Sequence, residues 1–151
     1  MKIKMDEGAI LPTRAHATDA GLDLYSRDDK TLYAMKCDGV GSNLAFYLHG
    51  GECFDTGVHI ELPPGYYGKI ESKSGLNVKH NVVSCGGVID EGYTGSIVVK
   101  LYNFGDTIYQ VHRGDKIAQL VIMPYAAPDL EVVDSLEETE RGESGFGSTG
   151  R

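Results

Sequence analysis

The chain has 151 residues, 41% of them hydrophobic and 24% charged, which is enough for one domain with a buried core and argues against a disordered chain. The formal net charge is −8, and residues 129–143 hold seven acidic residues against one arginine. Because no basic stripe is present, the composition argues against binding to duplex DNA or to an anionic membrane, and it favours small nucleotides among nucleic-acid ligands.

Short apolar runs separated by Gly, Asp and Asn indicate an all-β domain with many tight turns, and the 20 glycines support this. Regular spacing of such runs is typical of a closed or sandwiched fold of jelly-roll type, which protects strand edges. The predicted strands cover residues 20–25, 44–48, 56–62, 66–71, 95–103, 107–112 and 116–123.

Residues 35–54, MKCDGVGSNLAFYLHGGECF, alternate glycine-rich turns with an aromatic run and predict a hairpin or a long surface loop. The one predicted helix is SKSGLNVKH, residues 72–80. Its opening Ser72, Lys73 and Ser74 can hold phosphate oxygens at a helix start, or form an ordinary serine cap.

The stretch CGGVIDEGYTG, residues 85–95, predicts a β-hairpin with polar side chains at its mouth. Asp90 follows Val88 and Ile89 at a strand end, where a carboxylate can orient a water molecule and accept its proton. Tyr93 can stack on a ring. The alternatives are that Asp90 forms a turn and that Tyr93 belongs to the core.

The C-terminal part passes from Pro124 through a short strand and a solvated acidic linker into RGESGFGSTG, residues 141–150. This glycine loop is either a disordered tail or a mobile phosphate clamp. It lacks the lysine, the preceding strand and the following helix of a P-loop, so a P-loop NTPase is rejected.

Cys37, Cys53 and Cys85 have neither CxxC nor Cys/His ligand spacing, which indicates reduced thiols rather than disulfides or a zinc site. The five histidines are scattered and are interpreted as structural. MKIKMDEG carries no apolar targeting segment, and no stretch approaches transmembrane length. We therefore expect a cytoplasmic protein.

Five segments resemble, in order, the five motifs of the trimeric dUTP diphosphatase (dUTPase) family. They are ATDAGLDLYS, SKSGLNVKH, CGGVIDEGYTG, RGDKIAQLV and RGESGFGSTG, spanning residues 17–150. The resemblance implies a jelly-roll β-barrel in a homotrimer with shared active sites. It also implies hydrolysis of dUTP to dUMP and pyrophosphate by water attack on the α-phosphorus, with Mg²⁺ on the triphosphate. Such an activity keeps uracil out of DNA and supplies dUMP for thymidylate synthesis.

The resemblance assigns the reacting end of the site. Asp90 matches the residue that activates the water, and Tyr93 matches the aromatic residue that packs on the deoxyribose. Asp23 matches the carboxylate that orients the water shell of the metal. Backbone groups of the third motif read the uracil edge; they belong to Ser84, Gly87, Val88 and Ile89.

The phosphate end is implied by the other motifs. Lys73, Ser74 and Gly75 match the second-motif phosphate binders, and Gln119 matches a phosphate-contacting amide. The fifth motif places Arg141 on the γ-phosphate and Phe146 over the uracil, with Gly147, Ser148 and Thr149 around the phosphates. The predicted division is a barrel over residues 1–128, an acidic strand or linker over 129–140 and a mobile arm over 141–151 that reaches a neighbouring subunit.

Two other functions stay open. One is a dCTP deaminase-like enzyme, which shares the barrel but lacks the GFGSTG clamp. The other is a regulatory module that binds a protein partner through residues 35–54, a segment longer than family members normally carry there. The second motif also reads Ser-Lys-Ser-Gly here instead of the usual Pro-Arg-Ser-Gly.

Overall fold

The computed structural model describes residues 1–34, 37–38, 45–46, 51–140 and 142. Within these residues the chain forms short β-strands and one helix, as the sequence predicts for an all-β domain. The strands are β1 Lys2–Met5, β2 Gly21–Tyr25, β3 Lys30–Leu32, β4 Cys37–Asp38, β5 Ala45–Phe46, β6 Glu52–Asp55, β7 Val58–Glu61, β8 Tyr66–Glu71, β9 Val82–Cys85, β10 Val88–Ile89, β11 Val98–Asn103, β12 Tyr109–Val111 and β13 Lys116–Pro124, and the helix is α1 Ser74–His80.

The strands pair in antiparallel fashion in several small sheets. The largest has the order β10-β8-β13-β2, and a three-stranded sheet has the order β6-β11-β9. The two-stranded pairs are β1-β7, β12-β3 and β4-β5. Most neighbours in these sheets are distant in sequence, which is the crossed connectivity expected of a jelly-roll-like fold.

The core forms where alternate strand residues from the sheets meet. In β11, Val99, Leu101 and Asn103 are buried while their neighbours are less so, the period of two expected of a strand with one buried face. Leu24 of β2 and Leu120 of β13 join the same apolar cluster. Burial of each such side chain stabilises the fold by about 1.5–3 kcal/mol relative to exposure.

All seven predicted strands are present, most of them shorter than predicted. Two of the strands that the sequence did not predict have weak patterns: β1 is rich in lysine and exposed, and β3 has three residues. The assignment of residues 52–54 to the surface segment was wrong. They belong to β6, where Phe54 is buried, Cys53 is exposed and Asp55 is partly buried.

The predicted hairpin in residues 35–54 agrees with the described pairing of β4 with β5, in which Cys37 lies opposite Phe46. The remaining residues between 35 and 50 lie outside the described part.

Residues 125–140 form no strand in this chain, and almost all of them are exposed. Leu130 and Val132 expose 95% and 99% of their surface. The division into barrel, linker and arm therefore stays a prediction. Within the described ranges, no helix has both the length and the apolar character needed to cross a membrane.

Candidate active site

Asp90 lies at the end of β10, beside a cavity of about 350 Å³. The strand is held against β8 by the pairs Val88 with Lys69 and Ile89 with Gly68. The exposed carboxylate of Asp90 lines the cavity together with residues from three segments: Tyr67, Val88, Glu91 and Tyr125. The position predicted from the sequence, a carboxylate at a strand end, is where the structure places it.

Glu91, the next residue, is held in a fixed position. Its Oε2 accepts hydrogen bonds from the Gly65 N–H and from the Tyr125 hydroxyl, both at 2.8 Å. The Gly65 N–H, followed by the Tyr125 hydroxyl, lowers the pKa of the Glu91 carboxyl. The hydrogen bond between Tyr125 and Glu91, with burial as a smaller cause, raises the pKa of Tyr125. Asp90 and Glu91 both line the cavity, but the Glu91 carboxylate is anchored by these two hydrogen bonds.

Tyr93 follows a tight turn. Its N–H donates to the Asp90 carbonyl at 3.1 Å, and Gly92 supplies the positive φ of 87° that this turn needs. The hydroxyl of Tyr93 donates to the Ser96 carbonyl at 3.1 Å. A Cβ at Gly95 would lie 2.3 Å from the Tyr93 hydroxyl oxygen, so glycine is required there. Tyr93 is 46% exposed, and its interpretation as a core residue was wrong.

The predicted hairpin over residues 85–95 was also wrong in its pairing. β9 pairs with β11, where Cys85 lies opposite Lys100, whereas β10 pairs with β8. Gly86 and Gly87, at φ of 85° and 123°, carry the chain from one sheet to the other. The Gly87 carbonyl accepts a 2.8 Å hydrogen bond from the Ile70 N–H, so residues 84–89 run along β8.

Ser84 and Gln119 meet at Ser72, which the sequence suggested only as part of a helix start. The Ser84 N–H donates to the Ser72 hydroxyl at 2.9 Å, and the two hydroxyl oxygens are 3.1 Å apart. The Gln119 amide donates to the Ser72 carbonyl at 3.1 Å. Gly21 leaves room for Gln119, since a Cβ there would lie 2.3 Å from the amide oxygen.

Asp23 is buried between two lysines. Lys73 Nζ lies 2.5 Å from Oδ1 and Lys116 Nζ lies 2.7 Å from Oδ2, while the residue is 4% exposed. Burial opposes ionisation of Asp23, but the hydrogen bonds from Lys116 and Lys73 outweigh it and lower its pKa. The hydrogen bond to Asp23 in turn raises the pKa of Lys116. Asp23 is therefore a carboxylate between two ammonium groups.

Lys116 was missed by the sequence reasoning, and a β-bulge explains why. The register of β13 against β2 shifts between Lys116 and Ala118, so that Lys116 lies opposite Tyr25 while Gln119 lies opposite Asp23. In a regular strand two residues three apart face opposite sides, but the extra residue turns both toward the same face. The spacing in RGDKIAQLV alone gives no sign of this.

The helix begins at Ser74, later than predicted. Its N-cap is Lys73, which makes no side-chain capping bond, so the interpretation as a serine cap was wrong. The ammonium group of Lys73 instead donates a hydrogen bond to the Asp23 carboxylate. Ser74 and Gly75 are exposed at the helix start, and a Cβ at Gly75 would meet no atom within 4 Å.

The structure therefore arranges the predicted residues in two groups, joined by residues 84–89 and β8. One group contains Asp23, Lys73, Ser84 and Gln119, with Ser74 and Gly75 at the adjoining helix start; the other contains Asp90 and Tyr93, with Val88 and Ile89 leading to them. Arg141, Phe146, Gly147, Ser148 and Thr149 lie outside the described residues. In the part of the chain that the structure describes, no three His, Cys, Asp or Glu side chains form a metal-binding group.

Comparisons with known proteins agree over nearly the whole chain. The dUTPase family model matches residues 7–150. The mouse deoxyuridine 5'-triphosphate nucleotidohydrolase is 42% identical over 149 residues, which cover 99% of this chain and 83% of that protein. The structure of the Staphylococcus bacteriophage 80alpha dUTPase with dUPNHPP superposes with a TM-score of 0.85 at 29% identity, over 99% of this chain and 98% of that one. A point mutant of the dUTPase from S. aureus phage phi11, described with a structural Mg(II) ion, has a TM-score of 0.75 at 27% identity, over 91% and 98% of the two chains. The chain belongs to the dUTPase family.

Proposed function

We propose that this chain hydrolyses dUTP to dUMP and pyrophosphate. The observation that carries the proposal is the family match over residues 7–150, together with an exposed Asp90 carboxylate where the family's third motif falls. The relatives are named as nucleotidohydrolases of deoxyuridine triphosphate, and one solved neighbour holds a dUTP analogue.

Asp90 is proposed as the general base. Its carboxylate accepts a proton from a water molecule as the water oxygen attacks the α-phosphorus, and the bond from that phosphorus to the bridging oxygen of pyrophosphate breaks. A positioned general base contributes about 10²–10⁴-fold to such a step. The anchoring of Glu91 by Gly65 and Tyr125 supports this choice, since it leaves Asp90 as the carboxylate that is not tied into the turn.

The base and the sugar are proposed to lie along residues 84–93. Backbone groups of Ser84, Gly87, Val88 and Ile89 would read the uracil edge, with Tyr93 against the deoxyribose. The Ile70 N–H is already bonded to the Gly87 carbonyl, which fixes this backbone before substrate arrives. A site built from fixed polar groups rejects ligands that leave those groups unpaired.

The triphosphate is proposed to bind at the group around Ser72. The groups available there are the Lys73 ammonium, the Ser74 hydroxyl, the accessible backbone of Gly75 and the Gln119 amide. The family usually has arginine at the position of Lys73, and a lysine supplies a point charge instead of a bidentate fork. The arm residues Arg141, Phe146, Gly147, Ser148 and Thr149 are proposed to close over the substrate from another subunit.

Mg²⁺ is proposed to come with the triphosphate. Asp23 lies between two lysines, and the described residues form no cage, so a site made by protein ligands alone does not fit. Mg²⁺ usually keeps several waters and binds through phosphates and one or two carboxylates, which does fit an Asp23 contact through water. The ion would supply charge neutralisation on the phosphate oxygens.

A homotrimer is proposed as the active form. Leu130, Val132 and Leu136 are apolar and largely exposed in the single chain. Ile3 and Leu11 line an apolar groove of about 370 Å³ on the same chain. Burial of these surfaces against other copies supports assembly. The cytoplasmic location stays a prediction, and the free thiols of Cys53 and Cys85 agree with a reducing compartment.

The test is product analysis after incubation with Mg²⁺ and, separately, dUTP, dTTP, UTP and dCTP. We expect dUMP and pyrophosphate from dUTP, with much slower turnover of the other three. Release of ammonia from dCTP would show a deaminase instead. Absence of turnover with all four nucleotides would favour the protein-binding module, whose proposed segment 35–54 lies largely outside the described residues.

A further inference from the structure

The segment of residues 94–96, which follows Tyr93, is held by two side chains from neighbouring strands. His59 Nδ1 lies 2.8 Å from the Thr94 carbonyl oxygen. The Ser96 hydroxyl donates to Asp55 Oδ1, and the Ser96 carbonyl accepts the hydroxyl of Tyr93. The position of the Tyr93 ring therefore depends on contacts made by His59 and Asp55.

His59 faces two groups that only accept hydrogen bonds. It lies in β7 opposite Lys4 of β1, its side chain is 16% exposed, and Nε2 is 3.2 Å from Asp6 Oδ1. A carbonyl and an ionised carboxylate have no proton to give. Both hydrogen bonds therefore form together only when both ring nitrogens of His59 carry protons, whereas a neutral ring makes one of them.

The surrounding charges join the two contacts into one network. Lys4 Nζ lies 3.7 Å from Asp6 Oδ1, and the Arg27 guanidinium lies 4.0 Å from Asp6 Oδ2 and 2.7 Å from Asp55 Oδ2. The hydrogen bond from His59 lowers the pKa of Asp6 against the opposing effect of burial. The Ser96 hydroxyl, with burial opposing, lowers the pKa of Asp55. Both carboxylates therefore stay ionised at neutral pH.

We propose that His59 is a positioning residue that fixes Tyr93 through the Thr94 carbonyl and so sets discrimination between deoxyribose and ribose. The inference rests on the proposed function, in which Tyr93 packs on the sugar. Gly95 has no side chain to restrain the peptide that joins it to Thr94. When the His59 contact is lost, that peptide can rotate, and the Tyr93 ring no longer closes the 2′ position.

Two substitutions separate the hydrogen bonds. His59→Asn places an amide nitrogen where Nδ1 lies, next to the Thr94 carbonyl. His59→Gln places it near Nε2, toward Asp6, and leaves Thr94 without its donor. Glu61→Gln is the matched control, because it breaks the exposed ion pair of Glu61 with Lys2 between the same two strands without touching residues 94–96.

The experiment measures kcat/KM for dUTP and for UTP on these full-length variants at one pH, with unfolding midpoints recorded for each. We expect the dUTP to UTP ratio of His59→Asn to match that of the unmodified protein, and the ratio of His59→Gln to be lower by about fivefold, one net hydrogen bond. Glu61→Gln should behave as the unmodified protein. Equal ratios in the two histidine variants would overturn the inference.

Tyr93→Ala separates this inference from the proposed function. If that variant lowers the ratio and His59→Gln lowers it no further when the two are combined, the two residues act through one element. If Tyr93→Ala leaves the ratio unchanged, the assignment of Tyr93 to the sugar fails as well. If Tyr93→Ala lowers the ratio but His59→Gln does not, only the positioning role of His59 is refuted.

Discussion

At the residue scale, the site is shaped by how differently its carboxylates are held. Asp90 and Glu91 are adjacent in sequence and both line the cavity, yet it is the Glu91 carboxylate that accepts hydrogen bonds from Gly65 and Tyr125. Asp23 is buried and fully engaged by Lys73 and Lys116. The same functional group thus serves as a proposed base, a turn anchor and a partner for two cations, because its neighbours differ.

The ion pairs of Asp23 with Lys73 and Lys116 predict that Asp23 stabilises the fold more at neutral pH than in acid. The folded pKa of Asp23 lies below its ordinary value of 3.8, so its contribution is present above that pH and is lost as pH falls through the folded pKa. Asp23→Asn should lower the free energy of unfolding at pH 7 by about 1.5–3 kcal/mol, the usual value for hydrogen bonds to charged groups. Urea unfolding at pH 7 and pH 3, at one protein concentration, should show that the difference shrinks at pH 3. An equal difference at both pH values would show that Asp23 does not act through its charge.

Several of these residues could be predicted from the sequence, and others could not. Asp90 is a carboxylate directly after an apolar strand, a local pattern that the residues themselves carry. Lys116 comes to Asp23 only through a bulge in β13, and His59 comes to Thr94 across 35 positions of sequence. Contacts of this kind depend on strand register, which spacing along one strand does not contain.

At the element scale, the decisive feature is the passage of residues 84–90 from one sheet to another. Gly86 and Gly87 make it possible, and the carbonyl of Gly87 bonds to β8. The sequence signals a glycine turn there but not its partners, because β9 and β10 are short and each pairs with a strand distant in sequence. The predicted hairpin failed for this reason.

The two glycines predict unequal costs of substitution. In Gly86→Ala the new Cβ meets nothing within 4 Å, so the cost is the positive φ alone, about 1–2 kcal/mol. In Gly87→Ala the Cβ would also lie 2.5 Å from the Ile70 Cβ, which adds about 1–3 kcal/mol of overpacking. Urea unfolding should give a clearly lower free energy of unfolding for Gly87→Ala than for Gly86→Ala. Equal losses of stability would contradict the close approach to β8.

At the scale of the whole molecule, residues 129–136 expose apolar side chains that lie outside the buried cluster forming the core. The all-β architecture could be predicted because the seven strongest apolar runs all form strands. The role of the C-terminal part could not be derived from composition, since a disordered tail and a mobile phosphate clamp share the same glycine-rich sequence. Its assignment rests on the family resemblance.

The proposed sharing of active sites between subunits predicts that two inactive variants complement each other. Chains with Asp90→Asn lack the proposed base, and chains that end at Glu140 lack the proposed arm, so each should be nearly inactive alone. Light scattering should give about three times the 16.3 kDa chain mass for both. After the two are unfolded, mixed and refolded, mixed trimers should regain part of the unmodified activity. No recovery, despite mixed trimers of the correct mass, would show that the arm does not serve a neighbouring subunit.

The most direct test of the central claim is hydrolysis of dUTP with Mg²⁺ in water enriched in oxygen-18, followed by mass spectrometry of both products. If a water activated by Asp90 attacks the α-phosphorus, the label enters the phosphate of dUMP and is absent from pyrophosphate. Asp90→Asn should keep dUTP binding and lose about 10²–10⁴-fold in kcat. Label in pyrophosphate, or unchanged turnover in Asp90→Asn, would contradict the account.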